Sequence, residues 1–265
     1  VCEHSGQPQG TMANLDSSNA IVTQPLGHNE QGGRISNTPG DIIVGTPNDS
    51  PEHECTTGTT LSNVVSDVVV RAIEEGDAEF VGRLEMESFR SKYEWAVGKN
   101  RVEELATIRQ NRYREICDKN CRVFIAEYKN NRAGMLIIKF HGYKAQGSST
   151  CYFRERLGCS GACGYTMLLM CMESTDIDPA DCYIDCICVD KEHRGKGIGN
   201  ILMDRAEHEA KAMGCSKMTL YVAQNNRAVS LYQRQGYHIF EDADGCCCAW
   251  CAFGIRKWYG MSKMI

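Results

Sequence analysis

A short strand-like run, Tyr183 to Val189, gives way across a polar turn and a glycine-rich hexamer to a stripe of apolar residues at helical spacing. The run Tyr183, Ile184, Asp185, Cys186, Ile187, Cys188, Val189 is rich in β-branched residues and is closed by the polar stretch Asp190 to His193. Ile198, Ile201, Leu202, Ala206, Ala210 and Met213 then fall along one face of a helix that Gly214 ends. The hexamer Arg194-Gly195-Lys196-Gly197-Ile198-Gly199 therefore lies where a helix starts. The first turn of a helix presents N–H groups with no internal partner, and the summed peptide dipole makes that end partly positive, so the position suits an anion. Gly195, Gly197 and Gly199 let the main chain approach a diphosphate without Cβ clashes, while Arg194 and Lys196 add charge. The spacing is not that of a nucleotide-hydrolysing loop, which needs Lys and Ser or Thr after its glycines. Nor does it follow the first strand of a dinucleotide-binding fold.

A second strand-like run, Lys217 to Ala223, leads through Asn225, Asn226, Arg227, Ala228, Val229, Ser230, Leu231 and Tyr232 to Gly236-Tyr237. Arg194, Gly197 and Gly199 match the pattern Arg or Gln, two residues, Gly, one residue, Gly or Ala. Together the two blocks resemble the GNAT superfamily of acyl-CoA N-acyltransferases. The resemblance implies a mixed-sheet α/β fold of the GNAT type over residues 67 to 265 and acetyl-CoA as co-substrate. It implies N-acetyltransferase activity by direct attack of a primary amine, whether a lysine side chain, a protein N-terminus or a small amine. The diphosphate is then expected on Arg194, Gly195, Lys196, Gly197, Ile198 and Gly199. The main chain at Ile187, Cys188 and Val189 is expected to pair with the pantetheine arm like an added strand, one of its N–H groups polarising the thioester carbonyl. Asn225 is expected to bond that arm or cap the next helix. Ala228 and Tyr232 are expected to line the coenzyme site, with the Tyr232 hydroxyl toward the sulfur. A catalytically silent CoA-binding or protein-interaction module on the same fold is the alternative from another class.

Acetyl transfer needs a neutral amine, and a lysine-like amine is mostly protonated at neutral pH, so something must take its proton. Strict alternation puts Asp181, Tyr183, Asp185, Ile187 and Val189 on one face of the central strand. Acidic groups on a buried strand are costly without a use or a partner. By resemblance, the place of a Glu in some histone acetyltransferases is held here by Tyr183. Asp185 is therefore the first candidate for the base and Asp181 the second, while an Asp185 that only bonds a neighbouring Arg or Tyr stays open beside them. Tyr232, a phenol with an ordinary pKa near ~10, is the candidate acid for the leaving thiolate. On helical spacing alone, Ala228, Leu231, Tyr232 and Gln235 equally form a core face.

Composition divides the chain at residue 66. Residues 1 to 66 hold no Phe, Trp or Tyr, a single basic residue (Arg34) against seven acidic ones, and five of the six prolines. Such a segment buries too little apolar surface to offset its ordering entropy and is expected to be a disordered tail. The remainder carries 28 Lys and Arg against 27 Asp and Glu, so the overall charge of −5 belongs to the tail, and no basic face suggests nucleic acid. The chain opens on Val1 rather than Met, as expected of a fragment or of upstream translation, in which case Met12 is the alternative start. No apolar run is long enough to span a bilayer and no secretory signal is visible, which points to a cytoplasmic protein with the nucleus left open. Several of the sixteen cysteines, such as Cys182, Cys186 and Cys188, sit in strand-like runs and read as reduced thiols.

Along residues 67 to 265 the pattern predicts a strand at Asp67 to Ile73, helices at Ala78 to Ala96 and Val102 to Cys117, and a hairpin of Arg122 to Tyr128 with Ala133 to Phe140 around Asn130-Asn131. About forty residues then separate Phe140 from Asp181. They include Tyr152, Phe153, Leu157 and the apolar stretch Tyr165 to Met172, too hydrophobic for a solvated linker. They are expected to pack over the acceptor-side cleft, over a second subunit as in a homodimer, or simply onto the core. In the stretch Cys246 to Ile255, Cys248 and Cys251 have the spacing of half a zinc site, but a second half is missing. No metal is expected, and an apolar flap near the acceptor cleft is the preferred reading.

Overall fold

The computed structural model describes residues 21–22, 67–114, 119–144, 150–172, 176–244 and 254–265. Apart from Ile21–Val22, the tail expected at residues 1–66 lies outside them, as do residues 245–253 of the cysteine-rich stretch. In chain order the elements are β1 (Ile21–Val22), β2 (Val68–Ala72), α1 (Ala78–Ser88), α2 (Arg90–Val97), α3 (Val102–Arg114), β3 (Cys121–Tyr128), β4 (Asn131–Phe140) and α4 (Thr150–Met172). After these come β5 (Asp181–Val189), α5 (Ile198–Ala212), β6 (Lys217–Ala223), α6 (Ala228–Arg234), β7 (His238–Asp244) and β8 (Lys257–Met264). Seven strands form one mixed sheet in the order β2-β3-β4-β5-β6-β8-β7, and β1 pairs with β5. Every pairing is antiparallel except that of β5 with β6, which the α5 crossover makes parallel.

The single helix expected over Ala78 to Ala96 is two, because the backbone leaves the helical region at Phe89 (φ −116°, ψ 17°). The β3–β4 hairpin turns at Lys129-Asn130 rather than Asn130-Asn131. Both residues have positive φ, 51° and 64°, as a two-residue turn that matches strand twist requires, and Asn131 already pairs with Tyr128.

The sheet separates two apolar layers. On one face α1 to α4 bury Leu84, Leu105, Phe153, Leu157, Tyr165 and Leu168 against Tyr183, Cys186, Cys188 and Trp258. On the other, α5 and α6 bury Ile198, Leu202, Ala206 and Tyr232 against Cys182, Ile184 and Ile187. The insertion between β4 and β5 thus contributes a helix to the first layer. α4 kinks at Gly158 (φ 69°) and crosses α2 so closely that a Cβ on Gly164 would lie 1.9 Å from the Ala96 carbonyl oxygen.

Strict alternation along β5 fails at one residue. Ile138 of β4 pairs with Ile184 and its neighbour Ile137 with Cys186, leaving Asp185 as a bulge. The extra residue resets the pleat. Tyr183, Cys186 and Cys188 therefore face the layer of α1 to α4, whereas Ile187 turns to the opposite layer and does not share a face with Tyr183.

Candidate active site

β5 and β6 are paired only from Asp181–Lys217 to Tyr183–Thr219. Beyond Tyr183 they diverge, which leaves the edge of β5 that carries Ile187, Cys188 and Val189 without a β6 partner. That edge accepts an added strand: Ile21 and Val22 of β1 pair with Ile187 and Cys186.

At the end of β5 the chain turns through Asp190, whose carboxylate accepts from the Glu192 N–H at 3.1 Å, and reaches the start of α5. Gly195 and Gly197 adopt φ of 77° and 76°, where L side chains are strained, and among the described residues no atom beyond the chain neighbours lies within 4 Å of a Cβ built on either. The space in front of the first turn of the 15-residue α5 is therefore open to an anion. Arg194 braces the turn by donating from Nε to the Val189 carbonyl oxygen at 3.1 Å. Lys196 donates to the Glu192 carbonyl oxygen at 3.1 Å and lies over the Tyr128 ring. Ile198 is buried beneath the helix start. At Gly199 a Cβ would touch Leu231 at 3.4 Å, so this glycine faces α6 at ordinary contact distance.

Tyr232 is fully buried, its ring 5.8 Å from that of Tyr237. Its hydroxyl has no hydrogen-bond partner among the described residues. Burial first, then the neighbouring Tyr237, Cys186, Cys188 and Tyr183, push its pKa well above 10, so it keeps its proton at neutral pH. Ala228 is buried at the start of the same helix, and its N–H donates to the side chain of Asn226 at 2.9 Å. The cap expected of Asn225 is thus made by Asn226, which is buried, while Asn225 is exposed.

On the other side of β5, the bulge residue Asp185 is ion-paired with Lys139 of β4 at 2.7 Å. Lys139 also lies over the Tyr143 ring, 4.5 Å from its centroid. Both residues border a cavity of about 70 Å³ under α4, whose walls include Tyr93, Tyr113, Tyr143 and Tyr165. A second carboxylate, Glu85 of α1, reaches the same cavity. It is gripped by the Arg109 guanidinium through two bonds and accepts from the Tyr93 hydroxyl at 2.9 Å. Tyr183 is buried beside β6 on this face, and Asp181, near the start of β5, pairs with Lys217 at 3.0 Å, away from the cavity. Glu85, Arg109 and Lys139 were not singled out in the sequence. The available signal was a lysine inside the run Met135-Leu136-Ile137-Ile138-Lys139-Phe140 and a glutamate between Leu84 and Met86, charges set where apolar residues belong.

These features fit the thioester co-substrate on the structure's own terms. An open glycine cradle stands at a helix start, a strand edge accepts added main chain, and a buried phenol is left without a partner. The model of the Acetyltransferase (GNAT) family matches residues 85–237, more than half of the chain. The chain belongs to the GNAT acetyltransferase family. Thialysine N-epsilon-acetyltransferase of Bos taurus is 36% identical over 67 residues, which are 25% of this chain and 39% of that protein. The match thus spans about two fifths of that curated relative. Among solved structures, spermidine N-acetyltransferase from Vibrio cholerae in complex with CoA and spermine aligns with TM-score 0.47 and 20% identity over 75% of this chain and 96% of its own. PaiA N-acetyltransferase from Thermoplasma acidophilum in complex with coenzyme A aligns with TM-score 0.47 and 15% identity over 75% and 99%.

Among the described residues, no helix is long and apolar enough to cross a membrane, and no group of three or more His, Cys, Asp or Glu is arranged to hold a metal ion. Cys248 and Cys251 lie outside the described residues. The described cysteines are free thiols, with Cys121, Cys182, Cys186 and Cys188 buried.

Proposed function

We propose that this chain is an acetyl-CoA-dependent N-acetyltransferase that modifies a primary amine by direct attack. The observation that carries the reading is the Tyr232 hydroxyl, enclosed without a partner near Cys186 and Cys188 of β5. A fold that spends burial on an unpartnered phenol loses stability there, which a role at a departing sulfur would justify.

In this reading Gly195, Gly197 and the first turn of α5 hold the diphosphate, with Arg194 and Lys196 bordering it. The main chain of Ile187, Cys188 and Val189 receives the pantetheine arm after β1 leaves the edge, and Ala228 and Asn225 flank it. The co-substrate supplies an activated acetyl group. Tyr232 holds a proton for the leaving sulfur, and once β1 has left, a main-chain N–H of this edge of β5 polarises the thioester oxygen. The amine enters from the face lined by Cys186 and the tyrosine cavity, where the Asp185–Lys139 pair, with Tyr183 beyond it, orients it. The Asp185 carboxylate is engaged by the Lys139 ammonium at 2.7 Å.

The bovine relative's name makes thialysine the first acceptor to test, followed by lysine peptides, protein N-termini and polyamines. The assay is CoA release across that panel, with acetyl-CoA binding measured in parallel. Turnover on at least one amine is expected. Tight coenzyme binding with no CoA release on any amine would instead favour a silent CoA-binding or interaction module.

A further inference from the structure

Lys92 lies on α2 and is only 7% exposed. Its Nζ sits 5.0 Å from the centroid of the Phe89 ring and 5.5 Å from that of Trp258 on β8. The titratable groups acting on it are the thiols of Cys186 and Cys188 on β5, whose sulfurs are 3.5 Å apart. Among the described residues no carboxylate pairs with it. Glu85 on α1 is held by Arg109 of α3 and the Tyr93 hydroxyl, and Asp185 on β5 by Lys139 of β4. An ammonium withdrawn from water without a counter-charge is costly, and aromatic faces return only part of that cost. Lysine is also almost never fully buried unless it is paired. Both carboxylates that reach the cavity are engaged by cations, whereas Lys92, which does not line that cavity but lies over Trp258 and Phe89, has no anion among the described residues to hold it charged.

We propose that Lys92 is the proton acceptor of the transfer, its neutral amine taking a proton from the acceptor's ammonium at the face of β5 formed by Cys186 and Cys188. The inference rests on the acetyltransferase reading above. The protons balance. The acceptor nitrogen gives one proton to Lys92 before it attacks. The C–N bond then forms as the C–S bond breaks, and the Tyr232 hydroxyl passes a proton to sulfur while the nitrogen's second proton replaces it. Lys92 afterwards releases its proton to solvent. Burial, opposed only by the two thiols, brings the Lys92 pKa down to about 7, so the amine is neutral above that pH and turnover is supported there.

The test compares wild type, Lys92→Met and Asp185→Asn. Each is assayed for acetyl-CoA binding by calorimetry, for kcat/KM against pH with the best acceptor, and for melting temperature against pH. Lys92→Met should bind acetyl-CoA like wild type and melt no lower, because methionine fills the same apolar space. Its kcat should fall ~10²- to 10⁴-fold, and it should lose the rise of kcat/KM through pH about 7. The melting arm needs no activity. A lysine that is neutral when folded above pH about 7 but charged when unfolded up to pH about 10.5 makes stability rise with pH across that window, in wild type and not in Lys92→Met. Undiminished turnover in Lys92→Met, or a pH limb that persists there and disappears in Asp185→Asn, would overturn the proposal. So would melting curves whose difference does not change with pH. A wild type that melts as expected but acetylates nothing would overturn the acetyltransferase reading and the catalytic role together, leaving only a neutral buried lysine.

Discussion

Tyr232 is the residue at which stability and activity should part most clearly. Its hydroxyl is buried without a hydrogen bond, so Tyr232→Phe removes an unsatisfied polar group and leaves the ring packed against Tyr237. The variant should melt at the same temperature or gain up to ~1 kcal/mol, with acetyl-CoA affinity nearly unchanged, yet kcat should fall ~10²- to 10⁴-fold. Equal turnover in the two proteins, measured by CoA release, would reduce Tyr232 to a core aromatic. At this scale the sequence was informative where chemistry is local. The glycines at 195 and 197 and the tyrosine four residues into a helix are legible from spacing. Lys92, Glu85 and Arg109 were not, because their environments are assembled from distant segments: Lys92 lies over Trp258 and feels the Cys186 thiol, and Glu85 pairs with Arg109.

Among the elements, α5 and α4 make opposite demands on their glycines. At Gly197 the demand is conformational, with φ at 76° and open space in front of the helix start. Gly197→Asp adds a strained side chain and a negative charge where the diphosphate is proposed to sit. Calorimetry should register no acetyl-CoA binding in a protein that still folds, and retained affinity would move the coenzyme elsewhere. At Gly164 the demand is steric. A Cβ 1.9 Å from the Ala96 carbonyl cannot be relieved by turning a side chain, so α4 must lift from α2. Gly164→Ala should lower stability by ~1–3 kcal/mol in urea titrations, and more if Tyr165 and Leu168 leave the core. The helix in the long insertion was foreshadowed by its apolar stretch, but the surface it covers depends on this close crossing. The bulge at Asp185 was likewise invisible, since it arises from the register of β4 against β5 and not from the composition of either.

Across the molecule, one buried carboxylate ties the sheet to the helical layer. Asp77, just before α1, accepts from Arg71 of β2 at 2.6 and 3.0 Å, pairs with Arg132 of β4 at 2.7 Å and accepts from the Glu74 N–H at 2.8 Å. Burial alone would raise its pKa. The Arg71 hydrogen bond, the Glu74 N–H and the charges of both arginines together outweigh it and hold the carboxyl below its ordinary 3.8. Because the unfolded chain then binds a proton more readily than the folded one, this contribution is complete above pH about 4 and is lost as pH falls further. Asp77→Asn should cost roughly 2–3 kcal/mol near neutrality, the arginines being partly solvated. Its melting temperature should also fall less steeply than that of wild type below pH about 4. Parallel acid profiles for the two proteins would show that other carboxylates govern acid unfolding.

The sequence by itself determined the order of the strands from residue 67 onward, the glycine turn before α5 and the tyrosine on α6, though not the break between α1 and α2 or the place of α4 in the order, because hydrophobic period, turn residues and helix punctuation act within a few residues. It could not determine which side of β5 each residue faces, that Asn226 rather than Asn225 caps α6, or that the insertion roofs a tyrosine-lined cavity. Those outcomes depend on pairing register and on contacts between segments far apart in the chain. Burial and charge at Tyr232, Asp185 and Lys92 follow from the same long-range packing, so the chemistry these side chains can perform was decided only when the sheet and its two helical layers closed around them.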